Sequence, residues 1–246
     1  MIEVCVLNTT EQASVLADAL GLACKDVPDG SCTHVFEYVD NRLQLKALRK
    51  DAPGAVSVDF VEGALAARAK KSSIKSEAVA RAVGLKKHPG LRVLDATAGL
   101  GRDSFILAHL GCEVTMLESS PFVAALLRDG LKRAVEQSVP VAARMSLREI
   151  DAVKFMRSQP LGFDVVYLDP MFPPKIKSAL VKKEMQLLQE VVSVTCDAQA
   201  LFDAAFACAR HRIVVKRARL SQDLVGMPPS FSYEGKSNRF DVYIKS

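Results

Sequence analysis

The chain has 246 residues, of which 49% are hydrophobic, with a mean hydropathy of +0.13, enough for one large α/β domain with an extension and a substantial core. No apolar run reaches the roughly 18 residues that span a bilayer, and Met1 to Val6 carry no basic cluster, so neither insertion nor export is expected and the cytoplasm is the expected compartment. A net charge of +5 and a pI near 8.9 suit a polyanionic partner, while six scattered cysteines and four isolated histidines give no C-x-x-C pair and no ligand spacing, so no metal is expected.

The first ninety residues precede any motif and predict a small α+β extension. A strand is expected over 2–7, a helix over 11–20, and a hairpin from 35–39 and 43–45 turning at Asp40 and Asn41. Alternation over 56–60 predicts a further strand. Between Ala66 and Ser76 the chain turns to Lys, Arg, Ser and Ala, which predicts a hinge or RNA-facing linker before a helix over 77–83. The boundary is placed there, giving units of 1–72 and 73–246.

The stretch from Leu91 to Ser104 reads as strand, glycine loop and helix start. Gly99 and Gly101 let the backbone turn sharply and approach a ligand, and Asp103 or Ser104 can cap the helix carrying Phe105, Ile106, Leu107 and Leu110. A dinucleotide fingerprint needs a third glycine where this chain has Ser104, and Asp95 stands at the strand end. Both points argue against hydride chemistry. A second strand over 112–117 brings Glu118 to its tip, where a carboxylate can accept from both hydroxyls of a ribose. Ser119 or Ser120, followed by Pro121 as first helical residue, opens a long helix through Ala124, Leu127, Leu131 and Val135. A third strand over 145–150 ends at Asp151.

Val165-Val166-Tyr167-Leu168 then runs into Asp169-Pro170-Met171-Phe172. Four consecutive apolar residues suit a strand covered on both faces, and ligands gather beyond the carboxyl ends of such strands. Asp169 offers a carboxylate, the turn at Pro170 leaves a carbonyl to accept a hydrogen bond, and Phe172 offers a flat face. Two acceptors and a ring match the exocyclic NH2 of an unstacked nucleobase. The plainer alternative is a strand followed by a proline turn. Lys175 and Lys177 come next, placed to meet phosphates, and further basic groups lie at Arg68 with Lys70, Lys71 and Lys75, at Lys86-Lys87, at Lys182-Lys183, and at Lys216-Arg217 with Arg219. Helices over 179–191 and 198–209, a strand over 212–216 and a closing pair over 231–233 and 239–244 bring the sheet to about seven strands.

With the glycine loop, Glu118 and Asp169-Pro170-Met171-Phe172 in this order, the chain resembles the S-adenosylmethionine-dependent methyltransferases that modify amino groups on bases. Over its whole length, including Val58-Asp59-Phe60-Val61 and the run from Lys177 to Met185, it is similar to the bacterial small-subunit ribosomal RNA guanine-N2 methyltransferases of the J type. Thr97 in place of the first loop glycine and Met171 in place of a second proline depart from the wider pattern. The resemblance implies a Rossmann-like α/β fold with a mostly parallel sheet and helices on both faces. It implies S-adenosyl-L-methionine as cofactor and 16S ribosomal RNA or the small ribosomal subunit as partner, with methylation at N2 of one guanosine near the 3′ end. It further implies that Asp169, Pro170 and Phe172 hold the base, and that Asp95, Gly99, Gly101, Arg102, Asp103, Glu118, Ser119, Asp151, Ala152 and Asp169 line the cofactor site, Asp151 accepting from the adenine amine. The rival readings are another DNA or RNA base amino-methyltransferase, a nicotinamide oxidoreductase, and a non-catalytic RNA-binding or ribosome-assembly protein on the same fold.

Overall fold

The computed structural model describes residues 2–170, 183–192 and 197–245. The extension opens with β1 (Val4–Leu7), α1 (Glu11–Leu20), β2 (Ala23–Lys25), β3 (His34–Val39) and β4 (Arg42–Ala47), whose strands form a four-stranded sheet in the order β2-β1-β3-β4. Thr10 caps α1 at Ala13 N, and Gly21 ends it in the left-handed conformation. The β3–β4 hairpin turns at Asp40 and Asn41 with φ of 50° and 58°, the geometry that two-residue hairpins favour and that short polar side chains tolerate.

Two expectations fail here. The 56–60 segment does alternate, burying Val56, Val58 and Phe60, yet it makes only a single bridge between Leu45 and Val56. The reason is that the Val58 carbonyl, which a neighbouring strand would have used, accepts instead from the buried Arg133 guanidinium. The basic stretch expected as a linker is helical through its first half: α2 (Gly63–Lys71) buries Ala66 and Ala69, and small residues at that spacing let it lie against another helix. Its C-cap, Ser72, precedes α3 (Ala78–Val83).

The main sheet follows from β5 (Arg92–Asp95), α4 (Arg102–His109), β6 (Glu113–Glu118), α5 (Pro121–Glu136), β7 (Met145–Glu149), α6 (Ala152–Arg157), β8 (Phe163–Leu168), α7 (Lys183–Val191), α8 (Ala198–Cys208), β9 (Ala209–Ala218), β10 (Phe231–Glu234) and β11 (Asn238–Ile244). Its seven strands run in the order β10-β11-β9-β8-β5-β6-β7. β7, β6, β5, β8 and β9 are parallel, and β11 and β10 close the edge antiparallel. Period-two alternation sorts each strand between two cores. Val93, Val165, Tyr167 and Val214 enter one cluster with residues of α3, α4, α5 and the extension, whereas Leu94, Val166, Leu168, Ile213 and Val215 enter the other with Met156 of α6 and Leu201 and Phe202 of α8. Burial on both faces is why β8 reads as an unbroken apolar run.

The extension sits on the first of these faces. Val6, Phe36, Leu43 and Leu45 share a cluster with Leu126 and Leu127 of α5, so one core holds residues from both sides of position 72. Gly130 in the middle of α5 permits this approach, because a Cβ there would stand 2.5 Å from Val58 Cγ1. Polar ties reinforce the contact: Asp129 accepts from Leu43 N at 3.2 Å and from Arg133 Nε at 2.9 Å. No described helix is long and apolar enough to cross a membrane.

Candidate active site

Asp95, the Gly99–Gly101 loop, Glu118 and Asp169 stand at the carboxyl ends of β5, β6 and β8, next to the point where chain order along the sheet reverses, with Asp151 and Ala152 after β7 beside them. β5 delivers Asp95, almost wholly buried. Its carboxylate accepts from Ser104 Oγ at 2.5 Å and from Thr97 N at 3.2 Å. Burial outweighs those two donors and pushes the Asp95 carboxyl up to about 7, with Asp103 and Asp169 adding to the rise. Ser104 therefore does not cap α4. Nor does Asp103: the N-cap is Gly101, left-handed at φ 69° and without any side-chain cap, while Asp103 turns back into the protein. The sequence expectation of a cap fails because both oxygens have stronger claims on them from the sheet.

Several hydrogen bonds hold the loop between β5 and α4. Ala98 N donates to Leu117 O at 3.1 Å, Gly101 N to Ala98 O at 2.8 Å, Gly99 N to Glu118 Oε2 at 3.1 Å, and Thr97 Oγ1 accepts from Asp169 N at 2.6 Å. Thr97, the departure from the wider glycine pattern, thus ties the loop to the Asp169 backbone. Gly101 is required by packing as well as by its φ, since a Cβ there would lie 2.8 Å from Leu127 Cδ1 and 3.1 Å from Phe60 Cζ. Behind it Phe60 stacks on Phe105 with centroids 4.9 Å apart. Gly99, also left-handed at φ 52°, faces open space in the direction a Cβ would take.

Glu118 ends β6, and its second oxygen accepts from Ser120 N at 2.8 Å. Burial raises its carboxyl above the ordinary range against these backbone donors. Ser119 N is a third backbone donor to it, and a carboxylate offers about four acceptor sites, so it retains capacity for a ribose hydroxyl. Ser119 beside it is exposed, and Ser120 caps α5 at Val123 N, 3.4 Å. Asp151 follows β7 and caps α6 through Lys154 N at 2.8 Å, with Ala152 as the first helical residue. Ile150 N donates to Glu118 O at 3.1 Å, which draws this turn to the Glu118 strand end.

Beyond β8, Asp169 stands with its side chain two-fifths exposed, and Pro170 is buried. Phe172, Lys175 and Lys177 lie outside the described residues. Two further residues complete the arrangement. Lys216, near the end of β9, donates to Asp103 Oδ2 and to Asp169 Oδ2, both at 2.8 Å, and the buried Tyr167 hydroxyl donates to Asp103 Oδ2 at 2.7 Å. Desolvation raises the Asp169 carboxyl, and Lys216 offsets part of that rise. Asp103 is also desolvated, but Lys216, Tyr167 and Arg68 hold it below the usual carboxylate range. The sequence counts Lys216 only among the basic groups that concentrate around the pocket; the fold turns it into the carboxylates. The signal lay in the sequence: Ile213-Val214-Val215 is a buried strand, and Lys216 follows it as Asp169 follows β8. Arg68 is likewise engaged, paired with Glu77 at 2.6 Å. Arg102 opens α4 beside Asp103.

A cleft of about 740 Å³ lies away from this cluster, beyond β9, and is lined by Arg219, Asp223, Glu234, Arg239 and Asp241 among others. Its charges satisfy one another, Arg239 reaching Asp223 and Asp241 at 2.8 Å each, so its chemistry is that of an ion-pair network. Among the described residues no group of three or more His, Cys, Asp or Glu is placed to hold a metal.

Residues 16–245 match the family model described as putative SAM-dependent methyltransferase. The chain is 48% identical over 243 residues to the ribosomal RNA small subunit methyltransferase J of Pseudomonas aeruginosa strain PAO1, covering 97% of this chain and 92% of that protein. It is 44% identical over 233 residues to the protein of the same name from Coxiella burnetii strain RSA 493, covering 95% and 92%. A crystal structure of a SAM-dependent methyltransferase from Neisseria gonorrhoeae superposes with a TM-score of 0.73 at 35% identity, covering 98% of this chain and 95% of that one.

Proposed function

Because the chain belongs to the SAM-dependent methyltransferase family that contains the ribosomal RNA small subunit methyltransferases J, we propose that it methylates the exocyclic N2 of one guanosine near the 3′ end of 16S ribosomal RNA, in the cytoplasm. The observation that carries this reading is the placement of Asp169. It projects from the end of β8 at the partly exposed mouth, while Glu118 and the Gly99 loop occupy the neighbouring strand ends. The two ligands are thereby assigned to adjoining halves of one site.

The cofactor half suits S-adenosylmethionine: open space at Gly99 lets a ligand lie close to the backbone, and Glu118 keeps an acceptor site for a ribose hydroxyl. Asp95, Arg102, Asp103 and Ser119 border the same loop, and Asp151 with the Ala152 backbone is assigned to the adenine. When bound, the cofactor supplies a methyl group already activated on a sulfonium centre. The protein's work is then to orient and to exclude water.

Guanine N2 is a poor nucleophile because its lone pair is delocalised into the ring. Asp169 and the Pro170 carbonyl accept its two hydrogens, which holds the nitrogen towards tetrahedral geometry with its lone pair free, and Phe172 stacks on the base. No strong base is required. The nitrogen becomes acidic once it bears a fourth substituent, and Asp169 or water takes the proton.

The test is transfer of labelled methyl to unmodified small subunits, free 16S RNA and duplex DNA, followed by digestion to nucleosides. The expected product is N2-methylguanosine from RNA or subunits. Label in DNA alone, or in a different nucleoside, would overturn the substrate assignment. Asp169→Ala is expected to lower transfer by about 100-fold or more while leaving cofactor affinity near wild type; an equal loss of cofactor affinity would move Asp169 to the cofactor half.

A further inference from the structure

We propose that Lys216 is a positioning residue for methyl transfer, its ammonium anchored on Asp103 and gripping the Asp169 carboxylate by Oδ2 so that Oδ1 is the oxygen presented to the substrate amine. The proposal rests on the reading of Asp169 as an amine acceptor.

The geometry is that of a carboxylate fixed at both ends. Its backbone N–H is held by Thr97 Oγ1 at 2.6 Å, and its Oδ2 by Lys216 at 2.8 Å. Lys216 cannot swing freely, because the same ammonium is 2.8 Å from Asp103 Oδ2. Asp103 is in turn immobilised by the Tyr167 hydroxyl at 2.7 Å, with Arg68 Nη1 at 3.9 Å from its other oxygen. The Tyr167 ring is buried in the sheet, so a rigid element stands at the base of the chain of contacts. An acceptor that must meet one amine hydrogen while the Pro170 carbonyl meets the other needs this kind of second support, since small misplacements of reacting groups cost large factors in rate.

Charge gives Lys216 a second task. Asp169 is faced by Lys216 and Arg217 from β9, by Asp103 from α4, by Asp95 from the end of β5 and by the Tyr167 phenol from β8, with Arg68 of α2 one contact further off on Asp103. Carboxylates crowded together favour sharing a proton, the more so where Asp95 and Asp103 are shielded from water behind the partly exposed Asp169. Lys216 stands between Asp103 and Asp169 and pairs with both. Desolvation works against its own charge, yet the two carboxylates hold its pKa above the ordinary lysine value, so it stays an ammonium throughout the range in which Asp169 must be ionised. A protonated Asp169 would have lost an acceptor site on the oxygen carrying the proton.

The experiment compares the pH dependence of kcat for wild type, Lys216→Met and Lys216→Arg, with cofactor Kd by calorimetry and the Asp169 carboxyl followed by carbon-13 NMR against an Asp169→Asn reference. Removing the cation raises the carboxyl pKa, so the acid limb of the Lys216→Met profile is expected to move up by about one unit or more, which is roughly a tenfold loss at the acid end that narrows as pH rises. The carboxyl resonance moves with it, cofactor Kd stays within about twofold, and Lys216→Arg keeps the wild-type limb. A uniform drop in kcat with the limb and the resonance unmoved would overturn the proposal and leave Lys216 a structural strut. Should Lys216→Met fail to fold, Lys216→Arg decides: a limb displaced as though the charge were lost overturns it, and a wild-type limb supports it. Asp169→Ala separates the two ideas, because wild-type transfer by that variant, which has no side-chain acceptor, would defeat the reading of Asp169 itself whatever Lys216 does.

Discussion

Asp95 offers a quantitative test of the site's electrostatics that needs neither cofactor nor RNA. Its carboxyl is buried at the end of β5 and is raised from 3.8 to about 7, with desolvation the main cause. The sign follows from proton counting. Between these two values the folded protein keeps a proton that the unfolded chain has released, so this group's contribution falls as pH rises from about 4 and is fully lost above about 7. At 1.36 kcal/mol per unit, the loss amounts to roughly 4 kcal/mol. Asp95→Asn keeps the shape and one acceptor oxygen, for Thr97 N, and turns its NH2 to the Ser104 hydroxyl, which can accept, while abolishing the titration. Urea unfolding of both proteins, without cofactor, at pH 5 and at pH 8 reads the difference directly. The wild type is expected to lose stability relative to Asp95→Asn across that interval by a few kcal/mol, the loss being confined to the interval below about pH 7. Parallel stability profiles for the two proteins would show that Asp95 titrates as an ordinary carboxylate in the fold and would refute the desolvation argument.

Two further outcomes follow from the glycine loop and its partner. Gly101→Ala forces a side chain into left-handed backbone and against Leu127 and Phe60, so a destabilisation of about 2–4 kcal/mol is expected; an unchanged melting temperature would mean the loop repacks freely. Glu118→Ala removes the carboxylate assigned to the ribose and the acceptor of Gly99 N and Ser120 N, and S-adenosylmethionine Kd is expected to rise about 10- to 100-fold by calorimetry. An unchanged Kd would take Glu118 out of the ribose site.

The sequence by itself determined the elements whose cause is local. The 11–20 helix has a capping threonine and a terminal glycine, the Asp40-Asn41 hairpin has residues that tolerate positive φ, and Pro121 after Ser120 starts α5. The central strands β8 and β9 were legible because burial on both faces writes itself as the apolar runs 165–168 and 213–215. The strand ends were legible because Asp95, Glu118 and Asp169 each directly follow a pair of buried apolar residues, Val93-Leu94, Met116-Leu117 and Tyr167-Leu168. What the sequence could not supply was competition among distant partners. Val56, Val58 and Phe60 alternate like a strand, but Arg133, 75 residues away, takes the carbonyl that pairing would need. Asp103 and Ser104 are good helix caps by composition, and only the sheet shows that Lys216, Tyr167 and Asp95 hold them instead. Lys216 belongs to a basic run in one dimension and to a carboxylate cluster in three, because the parallel pairing of β8 with β9 brings their ends side by side. Local preferences are fixed by neighbours along the chain; hydrogen bonds and charge pairs are awarded to whichever group the fold brings closest.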